Sequence, residues 1–266
     1  MNTGKSNYPI IEDVNHDFTY LHSEEKRGIY AILPADYYRE TSKRYPVFYM
    51  HDAQNLFDPA PFGSWQVDKA LEVFKNNGVG DIIVIAIDHA SEHRISEFMP
   101  YQSKLAEVHR GRTYSEFVSI ELKQYIDKNY RTLPGREHTG MGGSSMGGLI
   151  TIYAGIMFSH AYSKLMVFSP SLWAAPKIYF DAPKYLAPSK QKMYLYAGGR
   201  ESKYMINNIN RFKDCMVSDP QRSKGLNLKV VIDPDGQHNE WRWAMEFPKA
   251  LQWLFFENKG HEDRNK

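Results

Sequence analysis

The segment Gly142–Leu149, with the sequence Gly-Gly-Ser-Ser-Met-Gly-Gly-Leu, decides how the rest of the chain is interpreted. Its central part, Gly143–Gly147, fits the pattern G-x-S-x-G around Ser145. A strand-like run, His138–Gly142, precedes this pattern and a helix-like run, Gly148–Phe158, follows it. Glycines at both flanks relieve crowding where a strand turns sharply into a helix. This context favours a serine raised on a tight turn over a glycine-rich loop that only packs a helix on a sheet.

A serine on such a turn is a candidate nucleophile, because the helix after it presents free N–H groups and a positive dipole to a developing oxyanion. Ser145 is the candidate, since Ser144 occupies a variable position of the pattern. A base must take its proton, and in folds with this turn the chain order is serine, acid, histidine. His238 follows the last strand-like run and is the candidate base. His160 comes too soon after the serine, and His261 lies in a polar tail.

The acid should follow the strand before the last, where it can orient the imidazole and stabilise its protonated form. That strand is Lys192–Ala197, and Glu201 lies in the loop directly after it. Asp233 and Asp235 remain alternatives. They share a short loop with His238, however, which makes it harder for either to face the ring.

Short β-rich runs alternate with helical patterns along the chain, which predicts a parallel sheet with right-handed crossovers. The first two runs adjoin without a helix between them, so we expect that pair to be antiparallel. Every residue of Ile82–Ile87 is apolar, so both faces of this strand would be apolar. A strand covered by helices on both faces requires that. The candidate strands are His16–His22, Gly28–Leu33, Tyr45–His51, Ile82–Asp88, His138–Gly142, Lys164–Ser169, Lys192–Ala197 and Leu226–Ile232.

Apolar residues repeat at three- and four-residue spacing between these runs, for example from Tyr114 to Ile126. This spacing predicts helices that place one face on a core. Pro248 would suit the first turn of a final helix, Lys249–Phe256, because its missing N–H costs little there. The stretch Pro176–Lys190 contains three prolines and predicts a small lid or loop over the edge of the sheet.

Nothing in the composition marks a boundary between domains. We expect one domain over residues 1–266, with flexible ends at residues 1–15 and 258–266. The first residues lack the apolar stretch of a secretory signal, which favours a cytoplasmic protein. The apolar runs Ile82–Ile87 and Leu149–Phe158 are much shorter than the roughly 20 residues that span a bilayer, so we expect no membrane partner.

The charge and cysteine content exclude several classes of protein. The chain has 33 basic and 31 acidic side chains, a formal charge of +2, so a nucleic-acid partner is not expected. Cys215 is the single cysteine, which rules out an internal disulfide and a multi-cysteine metal site. His89 and His93 have the spacing of a zinc-protease helix but lack its glutamate. We therefore expect neither a metal nor an organic cofactor.

Further stretches make the assignment more specific than the serine pattern alone. They are YPVFYMHDAQNLFD (Tyr45–Asp58), WQVD (Trp65–Asp68), YIDKNYRT (Tyr125–Thr132), GGSSMGGL (Gly142–Leu149), SPSLW (Ser169–Trp173), GGRES (Gly198–Ser202) and GQHNEWRW (Gly236–Trp243). With these stretches the chain resembles the "Putative esterase" family of α/β-hydrolases, from about Arg27 to Phe256. That family includes siderophore (enterochelin-type) esterases, family 1 carbohydrate esterases and esterase D type S-formylglutathione hydrolases.

The resemblance implies an α/β-hydrolase fold, with about eight strands in a mostly parallel sheet and helices on both faces. It implies three catalytic residues, Ser145, Glu201 and His238. It also implies that the backbone N–H of Met146 and that of Ala53, or of its neighbour Gln54, form the oxyanion hole. Many relatives have glycine where Ala53 stands, and many carbohydrate esterases have aspartate where Glu201 stands.

Four further residues lie near the predicted site in sequence. A carboxylate facing the oxyanion would oppose its charge, so we expect Asp52 to be turned away and hydrogen-bonded. Trp173 and Trp241 would suit an aryl or sugar-bearing ester, although core packing explains a tryptophan equally well. Arg200 is a candidate partner for a substrate carboxylate, its alternative being a solvated loop arginine.

Together these features predict a serine hydrolase that cleaves carboxylic esters through an acyl-enzyme. The substrate would be a small-molecule or oligosaccharide-linked ester of the carbohydrate (feruloyl or acetyl) or siderophore type. An acyltransferase or thioesterase that uses the same three residues is the alternative. A non-catalytic binding protein is a third interpretation, because a fold alone does not secure a function. The sequence leaves the oligomeric state open, a homo-oligomer included.

Overall fold

The computed structural model describes residues 6–14, 18, 27–60, 63–186 and 190–257. Within these residues the strands are β1 Ile10–Asp13, β2 Ile29–Leu33, β3 Val47–His51, β4 Ile83–Ile87, β5 Thr139–Ser144, β6 Lys164–Phe168, β7 Gln191–Gly198 and β8 Leu226–Asp233. They form one sheet in the order β1-β2-β4-β3-β5-β6-β7-β8. The β1–β2 and β2–β4 pairs are antiparallel and the other pairs are parallel. The predicted mostly parallel sheet is confirmed.

Helices cover both faces of this sheet, because side chains alternate along each strand between two cores. In β3, Val47 and Tyr49 pack in one core, and Phe48 and Met50 pack in the other. The helices are α1 Val67–Asn76, α2 Arg94–Glu97, α3 Gly111–Glu116, α4 Lys123–Asn129, α5 Met146–Met157, α6 Ile178–Tyr185, α7 Met205–Val217, α8 Pro220–Ser223 and α9 Glu240–Phe255. Helices α3, α5, α6 and α7 cover the first core, and α1 and α9 cover the second. The α/β-hydrolase architecture is therefore the one that the sequence predicted.

The register of the parallel strands brings their carboxyl ends to one edge. Ser144 at the end of β5 lies opposite Phe168 of β6, and Phe168 lies opposite Tyr196 of β7. Gly198 at the end of β7 lies opposite Asp233 of β8. The loops that leave these strands therefore meet at the same edge, which is where open α/β sheets bind their ligands.

The N-terminal strand differs from its prediction. β1 falls within residues 1–15, which were expected to be flexible, and pairs antiparallel with β2. Most of the predicted strand His16–His22 lies outside the described residues, as does the predicted flexible end 258–266. β1 is a four-residue strand at the edge of the sheet, and its side chains are alternately half-buried and exposed. A strand so short and so exposed leaves little apolar signal in the sequence.

Two helices that contain a proline differ from their predictions. The lid or loop expected over Pro176–Lys190 is wrong for residues 178–185, which form α6 with Pro183 inside it. Helix α9 begins at Glu240, so Pro248 lies in its interior and not in its first turn. A proline in a helix interior costs about 3 kcal/mol or more. In α9 a buried face continues on both sides of Pro248 and offsets this cost, through Trp243, Phe247, Ala250, Leu251 and Leu254.

Two kinds of feature are missing from the described part of the chain. None of its helices has the length and apolar character needed to cross a membrane. Its histidine, cysteine, aspartate and glutamate side chains also form no group of three that could hold a metal ion. Cys215 is half-buried and forms no disulfide there.

A buried histidine ends strand β3. The His51 ring is 1% exposed, and its Nδ1 lies 2.7 Å from the Tyr114 hydroxyl of α3. Its Nε2 has no hydrogen-bond partner among the described residues. Burial lowers the pKa of His51 to about 4, because the charged imidazolium would lose its hydration. His51 is therefore neutral in the folded protein near pH 7.

This histidine should make the fold sensitive to acid. The unfolded chain binds a proton at His51 below about pH 6.5, whereas the folded chain does so only near pH 4, so stability falls as pH drops between these values. We expect about 2 kcal/mol of His51-linked stability to be lost between pH 7 and pH 5. Urea unfolding of the wild type and of His51→Asn at both pH values measures this difference. Equal pH dependence in the two proteins would contradict a buried neutral His51.

Candidate active site

Ser145 stands on the turn between β5 and α5, as the G-x-S-x-G pattern predicts. Its backbone adopts φ 56° and ψ −120°, a conformation that L residues rarely occupy. The turn also needs glycine beside it. A Cβ on Gly143 would lie 3.1 Å from the backbone of Gly147, and a Cβ on Gly147 would lie 3.0 Å from the Asp52 carboxylate. The strained serine is thus flanked by two glycines at which a side chain would be crowded.

The Ser145 hydroxyl contacts a second serine. Its Oγ lies 3.2 Å from the Oγ of Ser171, and the Ser171 N–H donates to the Ser145 carbonyl at 3.0 Å. The Ser145 N–H donates to the carbonyl of Phe168 at 3.0 Å. These bonds tie the turn to the segment that leaves β6.

Glu201 and His238 form a close pair. Nδ1 of His238 lies 2.7 Å from Oε2 of Glu201, and the Glu201 side chain is 1% exposed. The other carboxylate oxygen, Oε1, accepts from the Ser169 hydroxyl at 2.6 Å and from the Gly198 N–H at 2.5 Å. A carboxylate so far from water needs such donors to replace its hydration. With Nδ1–H directed at Glu201, the neutral ring presents Nε2 as a hydrogen-bond acceptor.

The two alternative acids have other partners. Asp233 accepts from the hydroxyl of Tyr196 at 3.2 Å and lies 3.5 Å from the Arg242 guanidinium. Asp235 forms an ion pair with Arg200 at 2.6 Å, in which both side chains are exposed. Of the three carboxylates that the sequence left open, Glu201 is the one in contact with His238.

Ser145, Glu201 and His238 line one cavity of about 360 Å³. Its other lining residues are Ser171, Trp173, Ser202, Tyr204, Met205 and Asn208. Trp173 is 61% exposed, so its ring is free to contact a ligand rather than packed in a core. The cavity joins the turn after β5 to the loops after β6, β7 and β8.

Trp241 and Arg200, expected near the substrate, are not among the described residues that line this cavity. Trp241 lies in the first turn of α9 with the Arg242 guanidinium over its ring, 5.3 Å from the centroid. Arg200 is held by Asp235, as described above. A substrate-binding role for these two residues stays a prediction, because the structure places neither of them on this cavity.

The loop after β3 carries the predicted oxyanion residues. Ala53–Asn55 form a single 3-10 turn, and Met146 is the first residue of α5. Backbone N–H groups in the first turn of a helix lack partners within that helix. Among the described residues, no acceptor is found for the N–H of Met146, Ala53 or Gln54. These three N–H groups therefore stay without a described acceptor, on α5 and on the loop after β3.

Side chains on both sides fix the conformation of this loop. Asp52 accepts two hydrogen bonds from Arg94, at 2.6 and 2.8 Å, so its carboxylate is hydrogen-bonded as expected. The Gln54 amide donates to the carbonyl of His89 at 3.1 Å and accepts from the His89 N–H at 3.0 Å. Burial raises the pKa of Glu240, whose Oε1 lies 3.3 Å from the Asn55 amide. The loop is thus clamped to the segment after β4.

Sequence reasoning assigned no role to several residues that hold this site. Ser169, Ser171 and Trp243 fall inside the stretches SPSLW and GQHNEWRW. Their partners lie far away along the chain, and a single sequence does not reveal pairs of that kind. The clustering of polar residues with tryptophan directly after predicted strands was the one available signal.

Solved structures of other proteins share this fold. The BES protein from Bacillus cereus has a TM-score of 0.75 and 18% identity, over 92% of this chain and 95% of that one. A feruloyl esterase module from Clostridium thermocellum complexed with sinapinate has a TM-score of 0.71 and 18% identity, over 96% and 91%. The enterobactin esterase FES from Shigella flexneri has a TM-score of 0.73 and 17% identity, over 92% and 58%.

Sequence comparison extends this likeness. The uncharacterized protein YbbA of Bacillus subtilis is 23% identical over 252 residues, which make up 90% of this chain and 96% of that protein. The family model described as "Putative esterase" matches residues 22–254, and so spans most of the chain and every element of the site. The protein therefore belongs to the Putative esterase family and is a carboxylic ester hydrolase.

Proposed function

We propose that this esterase works through an acyl-enzyme formed on Ser145, with His238 as the base and Glu201 as the acid that orients it. One observation carries the proposal: His238 is bonded at 2.7 Å to a buried carboxylate and shares a single cavity with a serine on a strained turn. Nucleophile, base and orienting acid in this relation are the requirements for activating a serine hydroxyl.

The first half of the reaction follows from the hydrogen bonds. Because Nδ1 of His238 faces Glu201, Nε2 is the atom that takes the proton of Ser145 as Oγ attacks the ester carbonyl. Oγ gives up its contact with Ser171 in this step. Glu201 then stabilises the imidazolium without taking its proton.

The negative oxygen of the tetrahedral intermediate is stabilised by the free N–H groups of Met146 and of Ala53 or Gln54. Such donors contribute about 3–4 kcal/mol each to transition-state stabilisation. Collapse of the intermediate releases the alcohol, which takes the proton from His238. His238 then takes a proton from water, which attacks the acyl-enzyme and releases the carboxylic acid product.

We propose a carbohydrate-linked (feruloyl or acetyl) or siderophore-type ester as the substrate. The exposed rings of Trp173 and Tyr204 on the cavity support an aromatic or sugar-bearing group. The fold shared with a feruloyl esterase and an enterobactin esterase supports the same two classes. Turnover of feruloyl, acetyl-sugar and siderophore-type esters beside a thioester ranks these classes by kcat/KM. A thioester that exceeds every ester would overturn this choice, and transfer to an added alcohol in preference to water would indicate an acyltransferase.

Replacing Ser145 tests the nucleophile. Ser145→Ala should lower kcat for p-nitrophenyl acetate by about ten-thousand-fold or more, because no other hydroxyl is activated by His238. The same variant should no longer be labelled by a fluorophosphonate probe. Ser144→Ala is the matched control and should retain activity and labelling. Wild-type rates in Ser145→Ala would dismiss the assignment.

Replacing Glu201 tests the acid. Glu201→Gln should lower kcat by about a thousandfold or more, because an amide neither fixes the imidazole tautomer nor stabilises the imidazolium. Asp235→Asn removes only an exposed ion pair and should leave kcat within about twofold. Steady-state kinetics on the two variants decide the point. A loss in Asp235→Asn with none in Glu201→Gln would reverse the assignment.

A further inference from the structure

A chain of hydrogen bonds runs from Trp243 to the base. The indole Nε1 of Trp243 lies 3.0 Å from Oγ of Ser169, and Ser169 Oγ lies 2.6 Å from Oε1 of Glu201. The second oxygen of Glu201 contacts His238 at 2.7 Å. Four side chains from the loops after β6, β7 and β8 and from α9 are therefore connected in series.

The chemistry of tryptophan fixes the direction of these bonds. An indole N–H can only donate, so Ser169 Oγ must accept from Trp243. The hydroxyl proton of Ser169 is then free for one partner, the Glu201 carboxylate. Oε1 of Glu201 is filled by Ser169 and the Gly198 N–H, which leaves Oε2 for the imidazole. An accepted hydrogen bond also polarises the Ser169 hydroxyl and strengthens the bond that it donates.

The backbone of Ser169 is strained at the point where its side chain makes this contact. It has φ 45°, in the left-handed region, and the residue is fully buried. Glycine adopts such a conformation at no steric cost, whereas a serine there carries strain. The Ser169 N–H donates to the carbonyl of Tyr196 at 2.7 Å, which holds the residue at the end of β6. A strained serine whose hydroxyl reaches the site indicates a role for that hydroxyl beyond packing.

Trp243 also touches the base itself. Its side chain is buried, with a residue exposure of 4%, and its ring meets the His238 ring edge to face, with centroids 5.0 Å apart and planes at 83°. One side chain thus contacts His238 directly and is linked to Glu201 through the Ser169 hydroxyl.

We propose that Trp243 and Ser169 are positioning residues for catalysis, which together fix the Glu201 carboxylate and the plane of the His238 ring. The inference rests on the proposed function, because it assumes that His238 and Glu201 act on Ser145. Trp243 acts through the hydroxyl of Ser169, and its ring limits rotation of the imidazole. Neither residue touches the substrate, so their loss changes kcat and leaves KM unchanged.

Removing only the indole N–H tests the first link. Trp243→Phe keeps an aromatic ring against His238 but cannot donate to Ser169, so kcat should fall up to about tenfold, as for loss of one neutral hydrogen bond, with KM within about twofold. Trp253→Phe is the matched control, because it makes the same change on the same helix, where the ring packs on Tyr194. The control should keep wild-type kcat. An unchanged kcat in Trp243→Phe, or a change in KM alone, would overturn the proposal.

A double-mutant cycle tests whether Trp243 works through Ser169. Ser169→Gly removes the hydroxyl and relieves the backbone strain, which offsets part of the stability lost with this donor to Glu201, so the variant should still fold and yet lose at least about tenfold in kcat. In that background Trp243→Phe should cost no more than about a further twofold, because its partner is already gone. Losses that multiply independently would contradict the series arrangement.

The outcome also separates this inference from the proposed function. If Glu201→Gln loses activity while Ser169→Gly and Trp243→Phe do not, the catalytic residues stand and the positioning role fails. If Glu201→Gln retains activity, the proposed function itself fails.

Discussion

Burial of one carboxylate is the constraint on which the candidate site depends. Glu201 is almost inaccessible to water, so its two oxygens need donors from the protein. Those donors come from a strand end, from a strained serine and from His238, and each must stand within a few tenths of an ångström of its place. The hydrogen bonds that compensate the buried charge of Glu201 are therefore the same ones that orient the His238 imidazole.

The sheet makes that solution available by bringing distant segments together. Gly198 and Gly236 approach so closely that a Cβ on Gly198 would lie 2.4 Å from the backbone of Gly236. Glycine at both positions lets the loop after β8 cross directly over the end of β7. The Arg200 N–H donates to the Gly236 carbonyl at 2.9 Å and fixes the crossing. Backbone contacts thus hold the loop of His238 over the loop of Glu201, and the Arg200–Asp235 ion pair joins the same two loops.

Much of this organisation is predictable from one sequence, for definite physical reasons. Runs in which every residue is apolar predict strands buried on both faces, and glycines around Ser145 predict the turn. The order serine, acid, histidine indicates Glu201 and His238, although the choice between Glu201 and the aspartates needed coordinates. Local rules failed where tertiary packing outweighed them, as at Pro248 inside α9. The bond from Trp243 to Ser169 joins residues 74 positions apart, a relation that no local pattern encodes.

The position of α9 has a consequence for how the protein is made. This helix is the last described element, and it supplies much of the second core as well as Trp243. Residues of β6 and β7 in this core, such as Phe168 and Tyr194, stay uncovered by α9 until the helix is made, so the core on this face is completed last. Ser145 is synthesised well before His238, so under the proposed mechanism a nascent chain that ends between them carries a serine without its base. If the proposed mechanism holds, reactivity toward esters requires the final helix to dock, because α9 carries Trp243 against His238.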